Sequence, residues 1–257
     1  MNTTALPAKP ALLALGVWQY SVLETVDSTN AHAALLPPWV AVRAQTQTAG
    51  RGRAPGRAWV SDRGGLWLSA VLPCPGPRSR WETLPLAAGW AVVKAVRERG
   101  VPGARLRWPN DVMVEGAKLA GVLVERHSPE TAVVGVGLNI FNRPEQTDAD
   151  LAGQCTTLSH FVGGQFSVDQ IALEVLRALQ VAHGMLVAGR FAEIADELNS
   201  AWGGLRHVEV TFNRGERPTI GVFHGVDQHG RLRLTTNAHG LHAYEATQIE
   251  LFRELST

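Results

Sequence analysis

The chain has 257 residues, of which 45% are hydrophobic and 18% are charged, a globular composition that excludes a disordered or fibrous chain. The length allows one sizeable core together with a smaller second module. Because 24 basic residues nearly balance 23 acidic ones, the net charge is only +1; no overall charge draws the protein to DNA or to an anionic membrane, and any anion site must be local.

Cysteine content and hydropathy indicate the cellular setting. The two cysteines, Cys74 and Cys155, are too few for a disulfide framework or a zinc site, which favours a reducing, cytoplasmic location. The apolar run from Pro10 to Trp18 has some features of a signal peptide, but no small-residue cleavage site follows it. The longest other apolar stretch, Leu84 to Val93, is well short of the roughly 20 residues that a membrane helix needs. We therefore expect no membrane contact.

Helix and strand signals in the first 140 residues predict a mixed or antiparallel sheet with helices. Ser28 is a candidate N-cap for a short helix that ends at Leu36, before two prolines. A loop rich in Gly and Arg covers Gln45 to Arg57, and the pair Glu115-Gly116 predicts a tight turn between two strands. The other predicted elements here are strands at Trp39–Ala44, Leu66–Leu72, Val112–Val114, Leu119–Glu125 and Ala132–Ile140, and a helix at Thr83–Arg99.

The C-terminal part contains two predicted helices followed by short strands. Ser167 and Gln170 form a capping-box pattern that opens a helix to about Val187. A second helix, Phe191 to Trp202, ends at a Gly-Gly breaker. Beyond it, Gly and Asn separate short alternating segments, which predict a small β-barrel. Its predicted strands are Val208–Phe212, Thr219–Val226, Arg231–Thr235 and Ile249–Phe252.

The segment Gln47 to Arg57, here called the Gly-Arg loop, is the first candidate for a chemical role. Its glycines allow the backbone to approach a ligand closely and to present N–H groups. Arg51, Arg53 and Arg57 supply fixed positive charge suited to phosphate or carboxylate. A solvated basic turn, or one that contacts RNA, explains this pattern about equally well.

Two further clusters follow. In Arg107-Trp-Pro-Asn-Asp111, the side chains of Asn110 and Asp111 could bind Mg²⁺, ribose or phosphate through oxygen atoms, although such tripeptides also form turns without any ligand. The sequence Lys118-Leu-Ala-Gly121 places a lysine at the start of an otherwise buried strand. A solvated strand end is the usual explanation for such a lysine.

Five motifs together resemble the biotin protein ligase family. Their order and approximate separations match that family from about Glu24 to Phe252. The Trp-Pro-Asn-Asp motif followed by Lys-Leu-Ala-Gly is a specific pairing, and the Gly-Arg loop upstream makes a coincidence improbable. In chain order the motifs are Asp27–Asn30, the Gly-Arg loop, Trp108–Asp111, Lys118–Gly121 and Gly135–Ile140.

The resemblance implies an α+β fold. Its main part is a class II synthetase-like biotin/lipoate ligase domain, in which helices flank a mixed or antiparallel sheet, and a small SH3-like β-barrel follows. With the boundary at Gly203, residues 1–203 form the catalytic domain and residues 204–257 form the barrel. The similarity is to the single-function form without an N-terminal DNA-binding domain, because only about two dozen residues precede Asp27.

The resemblance also implies the activity. Biotin is activated with ATP and Mg²⁺ to biotinyl-5′-AMP, with release of pyrophosphate, and the biotinyl group is then transferred to a lysine of a biotin carboxyl carrier protein of a biotin-dependent carboxylase. Both reactants of the first step are anions, so catalysis requires cations and positioning more than a protein nucleophile. The sequence is compatible with a monomer and with a homodimer.

Site roles carry over from the family motifs position by position. Lys118, Arg51 and Arg53 are the expected catalytic residues, and Asp111 is the expected Mg²⁺ ligand. Biotin contacts are expected from Ser28, Thr29, Asn30, Gln47, Arg51, Gly52, Arg53 and Lys118. Contacts to ATP or the adenylate are expected from Arg53, Trp108, Asn110, Asp111, Lys118, Gly121 and Asn139.

Two positions depart from the family pattern. Arg107 stands where many relatives have lysine, which keeps the charge but changes the donor geometry. The segment Arg53 to Gly56 is one residue longer than usual, so the roles of Arg57 and Trp59 carry over less directly.

Two other functions remain open at this stage. A lipoate or octanoate ligase or transferase shares the catalytic fold; the transferase branch uses a cysteine nucleophile, and neither Cys74 nor Cys155 lies in a motif. A biotin-sensing transcriptional repressor would need a helix-turn-helix domain, for which no basic recognition helix is visible. We therefore expect no binding to operator DNA.

Overall fold

The computed structural model describes residues 13–53, 56–212, 216–237 and 240–255, with side chains from residue 16 onward. Within these ranges, eight strands form one large sheet. They are β1 (Leu13–Leu15), β2 (Trp18–Val26), β3 (Val40–Gln47), β4 (Leu66–Pro73), β5 (Arg105–Arg107), β6 (Asp111–Val114), β7 (Ala117–Glu125) and β8 (Thr131–Leu138). The accompanying helices are α1 (Thr29–Ala33), α2 (Leu84–Glu98), α3 (Pro144–Thr147), α4 (Leu158–Phe161), α5 (Val168–Val187) and α6 (Phe191–Trp202).

The strand order across this sheet is β1-β2-β3-β4-β8-β7-β6-β5. Strands β2 and β3 are parallel, and the other neighbouring strands pair antiparallel. The predicted mixed sheet is therefore confirmed. Glu115 and Gly116 have φ values of 49° and 82°, the left-handed conformation that a two-residue hairpin turn favours, and the predicted turn between β6 and β7 is also confirmed.

The two faces of the sheet have different partners, because successive side chains on a strand point to opposite sides. On β4, Leu66, Leu68 and Leu72 belong to the main core, which α2 and α5 share. Val71 belongs instead to a smaller cluster with Ala33 of α1. Helix α1 thus packs on the face opposite the long helices, and its N-terminus lies beside Gly135 of β8.

Five further strands form a small antiparallel sheet near the C-terminus. They are β9 (Arg206–Thr211), β10 (Thr219–Val226), β11 (Leu232–Thr236), β12 (Leu241–Tyr244) and β13 (Leu251–Glu254), in the order β12-β11-β10-β9-β13. This arrangement agrees with the predicted SH3-like domain. Helix α6 ends at Trp202, and Gly203 follows in the left-handed conformation with φ 68°; the boundary between residues 1–203 and 204–257 stays a prediction.

A row of aromatic rings joins the small sheet to the large one. Trp202 at the end of α6 packs against Phe223, Phe223 packs against Phe252, and Phe252 packs against Trp108, with ring centroids 5.0 to 5.5 Å apart. The indole N–H of Trp202 donates to the carbonyl of Leu106 in β5. Arg105 forms a bidentate ion pair with Glu254 of β13. The small sheet is therefore packed directly against the edge of the large one.

Several predicted element bounds were wrong. Ser28 is the N-cap of α1, as predicted, but the helix ends at Ala33 rather than Leu36. Leu36 precedes a proline, which disfavours the helical conformation, and the N–H groups of Leu35 and Leu36 bond to carbonyls only three residues earlier. Strand β2 was missed: its N-terminal half is largely buried, whereas its last residues are mostly exposed, so it lacks a clean alternation. Strands β1, β5 and β12 were also missed, and each has only three or four residues. Residues 1–12, including the start of the signal-like run, lie outside the described residues.

No helix in the described ranges is both long enough and apolar enough to cross a membrane.

Candidate active site

A cleft of about 740 Å³ lies beside the N-terminus of α1, between the Gly-Arg loop, strands β6 to β8 and the first residues of β13. Its volume is in the range of sites that hold small molecules. All thirteen residues that the sequence assigned to the site line this one cleft. They are Ser28, Thr29, Asn30, Gln47, Arg51, Gly52, Arg53, Trp108, Asn110, Asp111, Lys118, Gly121 and Asn139.

One end of the cleft is built on the start of α1. The hydroxyl of Ser28 accepts a bond from the backbone N–H of Ala31 at 3.4 Å, which caps the helix. The backbone N–H and the hydroxyl of Thr29 both donate to Oε1 of Gln47, at 2.7 and 2.9 Å. The Nε2 atom of Gln47 donates in turn to the hydroxyl of Ser61 at 2.9 Å. These bonds fix the amide of Gln47 in one orientation.

Asn30 is the most constrained side chain of this end, with a relative exposure of 4%. Its Nδ2 donates to Oε2 of Glu125 at 2.7 Å, and its Oδ1 accepts from the hydroxyl of Ser69 at 2.6 Å. A Cβ atom on Gly135 would lie only 2.3 Å from Asn30 Oδ1. Glycine at position 135 is therefore what allows this asparagine to lie against β8.

The described part of the Gly-Arg loop has the geometry of a hairpin. Arg51 and Ala58 form an antiparallel bridge, the N–H of Gly52 donates to the carbonyl of Arg57 at 2.7 Å, and the N–H of Trp59 donates to the carbonyl of Gly50 at 2.9 Å. Residues 54 and 55, at the centre of the predicted one-residue extension, lie outside the described residues. The side chains of Arg51, Arg53 and Arg57 are exposed at the cleft.

Trp59 forms a wall of the cleft over two glycines. Gly121 of β7 and Gly137 of β8 are cross-strand partners, and a Cβ atom on either would lie within 2.9 Å of the Trp59 ring. Among the described residues, the buried indole Nε1 of Trp59 has no hydrogen-bond partner. The ammonium nitrogen of Lys118 lies 4.8 Å from the ring centroid, a distance typical of a cation–π contact.

Lys118 projects into the cleft from a β-bulge. The register between β6 and β7 shifts between Val112 and Met113, opposite Lys118, and bulges commonly redirect a side chain next to an active site. A separate segment pairs with the backbone at this point: the N–H of Lys118 donates to the carbonyl of Gln154, and its carbonyl accepts from the N–H of Thr156, both at 2.9 Å. The lysine is thus held at a defined position.

The charged end of Lys118 is paired rather than solvated. Its Nζ lies 2.5 Å from Oδ1 of Asp111, whose Oδ2 lies 2.6 Å from Nη2 of Arg107. The side chains of Lys118 and Asp111 are 26% and 18% exposed. The explanation of Lys118 as a solvated strand end is therefore wrong.

Burial and neighbouring charges shift the acidity of both partners. Burial lowers the pKa of Lys118 below its ordinary value, and Arg107 and Arg57 lower it further, while Asp111 offsets part of this effect. Burial alone would raise the pKa of Asp111, but Lys118 and Arg107 hold that pKa below its usual range. Asp111 is thus a stable carboxylate, and the amine of Lys118 releases its proton more readily than a lysine in water does.

The remaining predicted residues form the other side of the cleft. Trp108 is 2% exposed, and its buried Nε1 has no partner among the described residues. The Nδ2 of Asn110 donates to the carbonyl of Val122 at 2.9 Å, so this amide ties its loop to β7. The Oδ1 of Asn139 accepts from Nδ2 of Asn142 at 3.0 Å.

The donor set allows at most a small protein contribution to a metal site. In the described part of the chain, no three His, Cys, Asp or Glu side chains come together as a ligand group. Asp111 is the carboxylate at the centre of the cleft, and both of its oxygens face cations. Mg²⁺ typically takes one or two protein carboxylates plus substrate phosphates and water, so Asp111 would bind it only by turning one oxygen away from Lys118 or Arg107.

Comparison with known proteins identifies the family. A sequence model described as the biotin/lipoate A/B protein ligase family matches residues 22–139. The biotin–[acetyl-CoA-carboxylase] ligase of Mycobacterium tuberculosis is 36% identical over 205 residues, which cover 76% of this chain and 73% of that protein. The chain belongs to the biotin protein ligase family.

Two other similarities extend over a larger share of this chain. The bifunctional ligase/repressor BirA of Bacillus subtilis is 29% identical over 224 residues, which cover 84% of this chain and 67% of that protein. The structure of the biotin protein ligase from Aquifex aeolicus in complex with biotin and ATP has a TM-score of 0.78 at 28% identity, and the match covers 92% of this chain and 99% of that one. The family and fold that the five motifs indicated are confirmed.

Sequence reasoning missed several residues that shape the ligase cleft. Ser61, Ser69 and Glu125 hold the predicted polar side chains in place, and Phe252 brings the small sheet to the cleft. The family role of Trp59 carried over only insecurely, because it follows the longer segment Arg53 to Gly56. A signal for Trp59 was present, because glycines in strand interiors often mark the close approach of another group.

Proposed function

We propose that this ligase forms biotinyl-AMP from biotin and ATP in the cleft and then transfers the biotinyl group to a lysine of a biotin carboxyl carrier domain. The observation that carries the proposal is the convergence of Lys118, Arg107 and the arginines of the Gly-Arg loop on one cavity that also contains a buried polar pocket. The relative from Aquifex aeolicus binds biotin and ATP together, and the relative from Mycobacterium tuberculosis is named for acetyl-CoA carboxylase.

Biotin would occupy the end of the cleft built on α1. Its ureido ring needs matched donors and acceptors, and Ser28, Thr29, Asn30 and Gln47 supply hydroxyl and amide groups there that are already fixed by hydrogen bonds. A site of this kind rejects analogues that leave its polar groups unpaired. The half-buried ring of Trp59 offers an apolar surface for the rest of the molecule.

ATP would occupy the side formed by Trp108, Asn110, Asp111, Gly121 and Asn139. Mg²⁺ bound to the phosphates and to Asp111 would supply positive charge against the triphosphate. The boundary between the two ligands would lie at Lys118, Arg51, Gly52 and Arg53, which line the same cleft. Fixed positive charges would then face the point where the carboxylate of biotin meets the α-phosphate.

In the first step, a carboxylate oxygen of biotin attacks the α-phosphorus, and pyrophosphate leaves with the bonding electron pair. Lys118, Arg51 and Arg53 offset the repulsion between the two anions and stabilise the charge that develops on the phosphoryl oxygens. Because Asp111 keeps Lys118 in place before substrates arrive, little reorganisation is needed.

In the second step, the neutral amine of a carrier lysine attacks the acyl carbon of biotinyl-AMP. The acyl–phosphate bond breaks, AMP leaves, and the nitrogen loses a proton to form an amide. Water must be kept from the mixed anhydride until the amine arrives. Trp59 and the described part of the Gly-Arg loop border the place where this intermediate would lie.

The decisive experiment is incubation of the protein with labelled biotin, MgATP and a carrier domain, followed by mass spectrometry of the carrier. We expect the carrier to gain one biotinyl group, and a carrier whose acceptor lysine is replaced by arginine to gain none. Lipoate is supplied in a parallel reaction, because the matched family includes lipoate ligases. Incorporation of lipoate without biotin would overturn the proposal.

A further inference from the structure

We propose that Glu125 is a positioning residue of the ligation site, which fixes the Gly-Arg loop relative to the biotin pocket; this inference rests on the function proposed above. Glu125 is the last residue of β7, the strand that begins beside Lys118. It belongs to none of the five motifs, and it is not among the residues that line the cleft. Any effect on the reaction must therefore pass through the residues that it binds.

One carboxylate oxygen of Glu125 joins two separate parts of the site. Oε2 accepts from Nδ2 of Asn30 at 2.7 Å and lies 3.2 Å from Nη2 of Arg51. Asn30 belongs to α1, and Arg51 belongs to the Gly-Arg loop. Thr29 of α1 also bonds to Gln47 at the start of the Gly-Arg loop, whereas Glu125 links α1 to Arg51, further along the loop.

The position of this carboxylate is fixed by its buried partner. Asn30 is held by Ser69 and lies against Gly135, so its amide has no room to move. Glu125 is itself only 24% exposed. The rigid asparagine therefore determines where the negative charge lies, and that charge determines where Arg51 is attracted.

Arg51 can bind Glu125 and an anionic substrate at the same time. Its contact with Glu125 uses only Nη2, while a guanidinium group carries five N–H donors on three nitrogens. The remaining donors can face a carboxylate or a phosphate. Glu125 thus orients the arginine without occupying the part of it that would bind substrate, and the loss of Glu125 should weaken substrate binding more than turnover.

Two variants separate the charge from the hydrogen bond. Glu125→Gln keeps an acceptor oxygen for Asn30 but loses the ionic attraction to Arg51, whereas Glu125→Ala loses both. Glu193→Ala is the matched control, because Glu193 forms an exposed ion pair with Arg190 on α6, outside the cleft. Limited digestion with trypsin reports the loop directly, since trypsin cleaves after arginine and both Arg51 and Arg57 are exposed.

For Glu125→Gln we expect cleavage after Arg51 and Arg57 to be about three- to fivefold faster, the range that a partly exposed ion pair supports. The KM for biotin should rise by a similar factor while kcat changes less than about twofold. Glu125→Ala should show larger changes, because the buried amide of Asn30 also loses its partner. In an Arg51→Ala background, Glu125→Gln should not raise the KM further.

Unchanged loop cleavage and unchanged KM in Glu125→Gln would overturn the proposal. Equally faster cleavage at all arginines in Glu125→Gln and Glu125→Ala would also overturn it, because that result indicates general loosening of the fold. The digestion requires no enzymatic activity. A failure of the proposed function would appear as the absence of biotin transfer by the unaltered protein, whatever the digestion shows.

Discussion

The ammonium nitrogen of Lys118 lies 2.5 Å from Oδ1 of Asp111, and the other carboxylate oxygen of Asp111 is held by Arg107. Two cations therefore share one partly buried carboxylate. The three groups carry a net positive charge, which is the sign needed to bring two anionic substrates together. The same arrangement keeps the lysine in a single position, because its strand is also pinned through the backbone of Gln154 and Thr156.

Replacing Lys118 tests its catalytic role. Lys118→Ala should slow adenylate formation about 10²- to 10³-fold, comparable to the loss of one donor that stabilises transition-state charge. The fold should survive, because Asp111 keeps Arg107 as a partner. Pyrophosphate release with biotin and MgATP measures the effect, and Lys94→Ala on the exposed side of α2 is the control. Turnover that stays close to that of the control would remove Lys118 from the mechanism.

A methyl group on Gly137 should disturb the wall of the biotin pocket. The Cβ atom would lie 2.7 Å from the ring of Trp59, and because β8 is paired on both sides, the indole must move. We expect Gly137→Ala to weaken biotin binding, measured by titration calorimetry. Gly184→Ala adds a methyl group within α5, where nothing lies within 4 Å; it should leave binding unchanged and should stabilise the helix by about 0.5 to 1 kcal/mol. Equal affinities in the two variants would contradict the proposed place of Trp59.

The buried position of His183 predicts that the protein loses stability in mild acid. Its ring lies near Trp81 and Trp39, and Nε2 is 2.8 Å from the carbonyl oxygen of Pro73. Burial lowers the pKa of His183, and the bond to Pro73 offsets this only in part. As pH falls, the unfolded chain binds a proton first, at a pKa of about 6.5, so the free energy of unfolding declines below that pH.

Urea unfolding at a series of pH values between about 8 and 5.5 measures this decline. The contribution of His183 is complete above the pKa of the unfolded chain and is lost as pH falls toward the lower pKa of the folded protein. His183→Gln keeps an N–H donor for Pro73 but cannot titrate, so its stability should depend less on pH in this window. The same pH dependence in both proteins would exclude His183 as the cause.

The position of Phe252 between Trp108 and Phe223 predicts that the small sheet contributes to nucleotide binding. Its ring contacts Trp108 and Phe223, so Phe252→Leu should cost about 1 kcal/mol of stability through lost aromatic contacts. It should also raise the KM for ATP, because Trp108 loses its support beside Asn110 and Asp111. Urea unfolding and steady-state kinetics measure the two effects. Ile220→Ala, at an exposed position of β10, should change neither quantity. An unchanged KM for ATP in Phe252→Leu would mean that the small sheet does not contribute to nucleotide binding.

Local signals were sufficient for much of the fold and for the composition of the site. The capping box of Ser167 and Gln170 is present at the start of α5, and the Glu115-Gly116 turn joins two strands as predicted. The thirteen predicted site residues share one cleft because their motifs lie at strand ends and in loops, where short sequences determine backbone shape. The order of these motifs along the chain matches a known family, and this match assigned their roles, which composition alone does not.

Other features depend on contacts between distant residues and could not be predicted locally. Strand β2 is defined by its pairing with β3 across a helical crossover, and its own pattern is irregular. Glu125 looks like an ordinary polar residue at the end of a strand; its importance follows only from the positions of Asn30 and Arg51, which are 95 and 74 residues away in sequence. The end of α1 was misplaced because Leu35 and Leu36 are good helix formers, whereas Pro37 disfavours the helical conformation at Leu36 and both leucines bond to carbonyls three residues earlier.

The aromatic row from Trp202 to Trp108 has a consequence for truncation of the chain. Trp202 and Trp108 are 1% and 2% exposed, and Phe223 and Phe252 of the small sheet cover them. A fragment cut after Gly203 would expose two indoles to water, each with an apolar surface on the order of 200 Å². Such a fragment would be prone to aggregate through this exposed apolar surface. The intact chain should unfold on heating in one cooperative transition rather than in two.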